Sequence, residues 1–180
     1  SLFNYSNLGE TPSEALKFMF THPFDTFELL FKNTSGDSLF ANVKSEFYFV
    51  YMLSGGLLLF LRPQYTIPFI PIVAQKVFND LPVRWGIASY YDIEFAALMP
   101  VLIVLVLASL KWKKIAVFLG SVACIMTISI TLHKMVPENR ELSWVGEGKT
   151  NPFEKQFWHS DLNIEEINEQ FAKIPSDASL

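Results

Sequence analysis

Between residues 11 and 32, apolar and polar positions repeat with helical spacing. "TPSEALKFMF" opens with Thr11 to cap, Pro12 at the first helical position and Glu14 to complete a capping box. Ala15, Leu16, Phe18 and Met19 then make an apolar stripe. In "HPFDTFELLFKN", Phe24, Phe27, Leu30 and Phe31 recur at the same spacing, with Asp25, Glu28 and Lys32 elsewhere. The pattern predicts helices near 12–20 and 23–32, each too short to cross a bilayer. Phe18, Phe24, Phe27 and Phe31 would form a face lying in the membrane interface, or the two helices would pack on a soluble core as ordinary surface helices. "NTSGDS" follows as a turn.

Beyond residue 46 the apolar positions run together instead of alternating. Residues 47–61 carry no charge between Glu46 and Arg62, and residues 66–79 form an apolar segment interrupted by Pro68 and Pro71. Residues 93–110 and 115–133 approach the length of about 20 residues that a membrane span needs, and only "KWKK" divides them. They predict a helical hairpin. Three lysines in its tip place that tip in the cytoplasm, with Trp112 at the interface. Asp92, Glu94 and everything after His133 would then face outside, and Pro100 should kink its helix and free a carbonyl. The segment 66–79 either returns through the bilayer or enters and leaves on one side. In the second case the first 46 residues move to the cytoplasm.

From residue 134 the character is water-soluble. "NIEEINEQFAKIP" predicts a helix capped by Asn163, answered by Glu166 and stopped by Pro175. The expected fold class is therefore an all-α membrane protein with several transmembrane helices, amphipathic interfacial helices and a short soluble C-terminal segment. Its parts are interfacial helices and a loop (1–46), membrane-embedded helices (47–61, 66–79, 93–110 and 115–133) and an extracytoplasmic, truncated tail (134–180). Both ends read as cut from a longer protein. A soluble helical protein with an unusually apolar core is the rival reading.

Charge and chemistry narrow this further. A net charge of -4 lacks the basic face that nucleic acid requires. The single cysteine, Cys124, rules out an internal disulfide and a cysteine metal cluster. No phosphate-binding glycine loop, HExxH or nucleophile elbow is present. The isolated histidines His22, His133 and His159 build no metal site. Gly55-Gly56 reads as a packing notch or flexible point in preference to a ligand cradle. The most suggestive stretch is "YYDIE". Asp92 and Glu94 point in different directions on a helix, so a shared proton is excluded, but one of them facing the bundle interior would serve as a base or cation ligand. Arg84 can grip a phosphate bidentately, and Tyr91 is an aromatic suited to the membrane interface. Arg84, Tyr91, Asp92 and Glu94 are thus the candidate substrate-binding residues, with a divalent metal ion as a possible cofactor. The alternative is helix-end carboxylates and headgroup contacts.

The succession of "NYSNLGETPSEALKFMFTHPFDTFELLF", "FYFVYMLSGGLLLFLRPQYTIPFIPIVAQKVFND", "YYDIEFAALMPVLIVL" and "EEINEQFAKIPSDASL" resembles the middle portion of the domain-of-unknown-function 2079 family of prokaryotic multi-pass membrane proteins. That family is similar to the C-type glycosyltransferase superfamily. The resemblance implies membrane lipid and a polyprenyl-phosphate sugar as partners, and sugar transfer on the extracytoplasmic side of the cell membrane. It also implies a catalytic acid in a first outer loop that this chain does not contain. The family's His-Tyr is Tyr90-Tyr91 here, so a role for that histidine does not carry over. A non-catalytic membrane subunit or transporter fragment binding an amphiphile is the alternative function.

Overall fold

The computed structural model describes residues 4–87, 93–142 and 151–158, together with Phe171 and Lys173. The described residues are helical, with no strand among them. The predicted helix after Asn163 lies almost wholly outside them, and so do Tyr90, Tyr91 and Asp92.

The first two predicted helices form as α1 (Pro12–Thr21) and α2 (Pro23–Leu29). Thr11 Oγ1 accepts from Glu14 N, and Glu14 Oε2 reaches back to accept from Glu10 N at 2.9 Å. This is the predicted capping box with its return bond displaced by one residue. Ala15, Phe18 and Met19 turn inward. Phe18 therefore belongs to the packed side, stacked on His22 at 4.9 Å, and not to the outward face expected for it. Lys44 Nζ donates to Leu29 O and Tyr48 OH to Leu30 O, which pins the end of α2 to the first turns of α3 (Val43–Tyr51).

The apolar segment that begins with α3 is not one continuous helix. It passes through a π-helical turn, Met52–Gly56, into the single turn α4 (Leu57–Leu59). Ser54 and Gly55 leave helical geometry there, Gly55 at φ 107°. A side chain on Gly55 would strike Ile103, and one on Gly56 would meet the Tyr51 carbonyl oxygen at 2.7 Å. The glycine pair is thus both a break and a close-approach surface. The chain turns through Pro63–Tyr65 and continues as α5 (Phe69–Val77). The hairpin follows as α6 (Ile93–Ala108) and α7 (Lys113–Met135).

Of the four expected membrane segments, one is a described helix long and apolar enough to cross a membrane: α7, of 23 residues. At 16 residues α6 is shorter than a span needs. The π-helical turn divides the first of the earlier two segments and Pro68 delays the helix of the second, leaving helical pieces of nine residues or fewer, with Pro71 inside the first turn of α5.

Contacts at both ends set the register. Glu46 meets Lys134, and Arg62 Nε donates to Ser109 Oγ at 3.1 Å. The segment 46–62 therefore runs beside the whole hairpin, parallel to α6 and antiparallel to α7. Lys76 Nζ lies 5.2 Å from the Phe47 ring, so α5 brings the chain back to the Glu46 end. The core is an aromatic cluster in which Phe95 meets the rings of Tyr51, Phe47 and Phe69 at 4.5, 5.3 and 5.5 Å. A second small core, Val43, Trp85 and Leu142, closes the same end.

Candidate functional site

A cavity of about 1010 Å³ opens between the π-helical turn, α6 and α7. Its walls are apolar because two helices present small or flexible residues to it, among them Met99, Ile103, Gly120 and Ala123. Two backbone irregularities border it. Ser54 comes from the π-helical turn. Pro100 sits inside α6 and has no N–H to give the Ala96 carbonyl one turn earlier, and both Ala96 and Pro100 line the cavity. An apolar trough with a few polar groups is the usual form of a small-molecule or lipid site.

The charged residues among those described as lining it are Lys134 and Arg140. Glu46 fixes the first of them: its Oε1 accepts from Lys134 Nζ at 2.8 Å and from Glu141 N at 3.1 Å. Lys134 also donates to Asn139 O, so its ammonium is held by the turn Pro137–Asn139 that follows α7. Glu46 Oε2 is buried without a hydrogen-bond partner, an arrangement that leaves one lone-pair face of the carboxylate unsatisfied.

Other buried cations stand at the same end. Lys44 Nζ lies 4.3 Å from the centroid of Trp85 and Lys76 Nζ donates to Gly86 O at 2.7 Å. Burial pushes the Lys44 amine down from 10.5 to about 8. Trp85 is positioned in turn by its Nε1 donating to Asn79 O at 2.7 Å.

Of the residues singled out from sequence, Glu94 is exposed on the first turn of α6 and Arg84 ends the short helix Pro82–Arg84, half-buried, with its Nε enclosed. Neither is among the described residues that line the cavity, whereas the adjacent Ile87 and Phe95 are. Tyr91 and Asp92 lie outside the described residues, so the constellation as a whole does too. Sequence reading missed Glu46, Lys134 and Arg140 as a group. The one available signal was a lone carboxylate at the start of the first apolar segment and a lysine at the end of the last. Among the described residues no cluster of three or more histidines, cysteines or carboxylates is placed to hold a metal ion. Compared with protein-family models, with curated proteins and with solved structures, the chain has no significant match.

Proposed function

We propose that this chain is part of a multi-pass integral membrane protein that holds an amphiphile, its apolar chain in the trough and its polar head beside Lys134 and Arg140. The observation that carries this reading is the trough itself, apolar along its walls and cationic where it has charge. A phosphate headgroup suits a lysine and an arginine at the rim, and the resemblance would make the ligand a polyprenyl-phosphate sugar and the full-length protein a glycosyltransferase.

Several features support membrane residence. In its most apolar window α7 is only 17% buried, the reverse of a soluble core helix. Segment 46–62 is matched in height to the hairpin, and α5 returns to the Glu46 end, as four crossings at 47–61, 66–79, 93–110 and 115–133 require. The Arg62–Ser109 contact adds an arginine to the end already carrying Lys111, Lys113 and Lys114, and residues 57–66 and 105–118 contain no carboxylate. The concentrated lysines of the hairpin tip would make that end cytoplasmic and the tail extracytoplasmic; of the cations at the other end, Lys44 and Lys76 are buried and Lys134 is paired with Glu46. Arg84 and Glu94 then belong to the outer end, near the Ile87 and Phe95 edge of the trough, and together with Tyr91 and Asp92 they would meet the sugar or a divalent ion.

The test uses detergent-purified full chain and a fluorescent polyprenyl phosphate, with the matching polyprenol as control. The phosphate should bind at least about tenfold more tightly, the equivalent of one charged contact. Ala123→Phe, which fills the trough, should abolish binding of both, and Arg140→Gln should erase the preference while the melting temperature is retained. Equal binding of alcohol and phosphate, unaffected by Ala123→Phe, would refute the reading.

A further inference from the structure

The helices α1 and α2, with the turn that follows α2, leave a set of large apolar side chains mostly exposed. Leu16, Phe20, Phe24, Phe27 and Phe31 are each more than half exposed, Phe20 and Phe24 at 84% and 88%. This surface was not chosen by default, since the same two helices use Ala15, Phe18, Met19, Leu29 and Leu30 to pack on the core. On α2, Phe24 and Phe27 fall on the side turned away from Leu29, and Phe31, just beyond the helix, has its ring 5.2 Å from that of Tyr48. Phe27 and Phe31 meet edge to face at 5.5 Å, so these two side chains form one continuous surface. Exposed apolar surface on this scale marks an interaction site.

Its height identifies the occupant. The bonds Lys44 Nζ–Leu29 O and Tyr48 OH–Leu30 O hold α2 level with residues 44–48, where the first apolar segment begins. With the membrane placement proposed above, that is the level at which the bilayer would change from headgroup to hydrocarbon. The charge of the rim narrows the choice further. Glu14, Asp25 and Glu28 outnumber Lys17 and Lys32, and Lys32 is already paired with Glu28 at 2.8 Å. The rim is thus net acidic and does not favour anionic headgroups.

We infer that Leu16, Phe20, Phe24, Phe27 and Phe31 form a platform that inserts into the outer interface of a neutral or zwitterionic bilayer through aromatic burial and not through charge. This rests on the membrane placement proposed above.

Spin labels test it in the full chain reconstituted into phosphatidylcholine vesicles, on a Cys124→Ser background. Single cysteines replace Phe24, Phe27, Asp25 and, on the exposed side of α7, Ile125. The ratio of oxygen to nickel-chelate accessibility at 24 and 27 should exceed that at 25 by about threefold and stay below that at 125, the order expected for an interfacial helix. Adding phosphatidylglycerol should leave the pattern unchanged. Water-like ratios at 24 and 27 with a lipid-like ratio at 125 would overturn the platform alone. Labels at 24 and 27 inaccessible to both reagents would show a protein partner there instead, and deeper insertion on phosphatidylglycerol would overturn the neutral-interface assignment. A water-like ratio at 125 would overturn the membrane placement itself.

Discussion

Glu46 and Lys134, 88 positions apart, meet at 2.8 Å with the carboxylate 4% and the ammonium 19% exposed. The pair joins the start of the first apolar segment to the end of the last. Removing one partner strands the other charge in a poorly solvated place, which costs about 3–5 kcal/mol. Lys134→Met and Glu46→Gln should each lower the melting temperature of the detergent-solubilised protein. The double variant should lose less than the sum, because neither charge is then left alone. Additive losses would show that the two residues act independently.

Lys44 gives the fold a pH dependence of definite sign. Its amine titrates near 8 when folded and near 10.5 when unfolded, so between those values the unfolded chain binds more protons. This lysine's contribution to stability is fully present above pH 10.5 and is lost as pH falls through about 8. Lys44→Met removes the titration. The stability of the wild type relative to Lys44→Met should therefore rise from pH 8 to pH 10.5 and be flat below pH 7, as read by chemical denaturation at matched detergent.

The glycine pair is predicted to be intolerant for two separate reasons. Gly55→Ala places a β-carbon in left-handed backbone, at about 1–2 kcal/mol, and against Ile103. In Gly56→Ala the φ is ordinary and the obstacle is the Tyr51 carbonyl. Both should melt earlier than wild type, and Gly56→Ala should also close the π-helical turn, reducing binding of any ligand in the trough.

Asp80 holds the N-terminal segment. Its carboxylate accepts from Ser6 N at 2.9 Å and from Ser6 Oγ at 3.0 Å, while Asp80 N donates to Asn4 O. Asp80→Asn weakens the charged bonds. Amide exchange of a peptide covering residues 4–9 should speed by about tenfold, the loss of roughly one charged hydrogen bond. Exchange in α7 should not change.

Orientation is open to a direct measurement. A cysteine replacing Trp112 on a Cys124→Ser background in intact cells should resist a membrane-impermeant thiol reagent added from outside and react after permeabilisation. Ready labelling of intact cells would reverse the assignment of the hairpin tip.

Local signals in this chain were legible and distant ones were not. Thr11 and Glu14 announced α1 because a capping box is complete within four residues. The hairpin was readable because length and apolarity suffice to suggest it. By contrast, the spacing of Phe18, Phe24, Phe27 and Phe31 marks helical faces without saying which face meets protein, and α1 turned Phe18 inward. The break at Gly55 escaped because a glycine pair in an apolar run is equally compatible with an unbroken helix. Glu46–Lys134 and Asp80–Ser6 escaped because hydrophobic periodicity carries no information about partners dozens of residues away. The carboxylates picked out from sequence were those grouped in one short string, whereas the ion pair at the trough joins residues 88 positions apart, from the start of the first apolar segment and the end of the last.

The clasp at Asp80 also sets an order of events during synthesis. Ser6 leaves the ribosome 74 residues before the carboxylate that will hold it. At ordinary elongation rates that is a wait of roughly 4–15 s, far longer than a helix such as α1 needs to form. Over that interval the segment ahead of α1 stays unfastened, while Lys44 and Tyr48, made earlier than Asp80, can already pin the end of α2. That leading segment is fastened only when the outgoing and returning apolar segments have both been made. Residues 4–9 are made before the two apolar segments and dock after them, so their docking records that both segments have been completed.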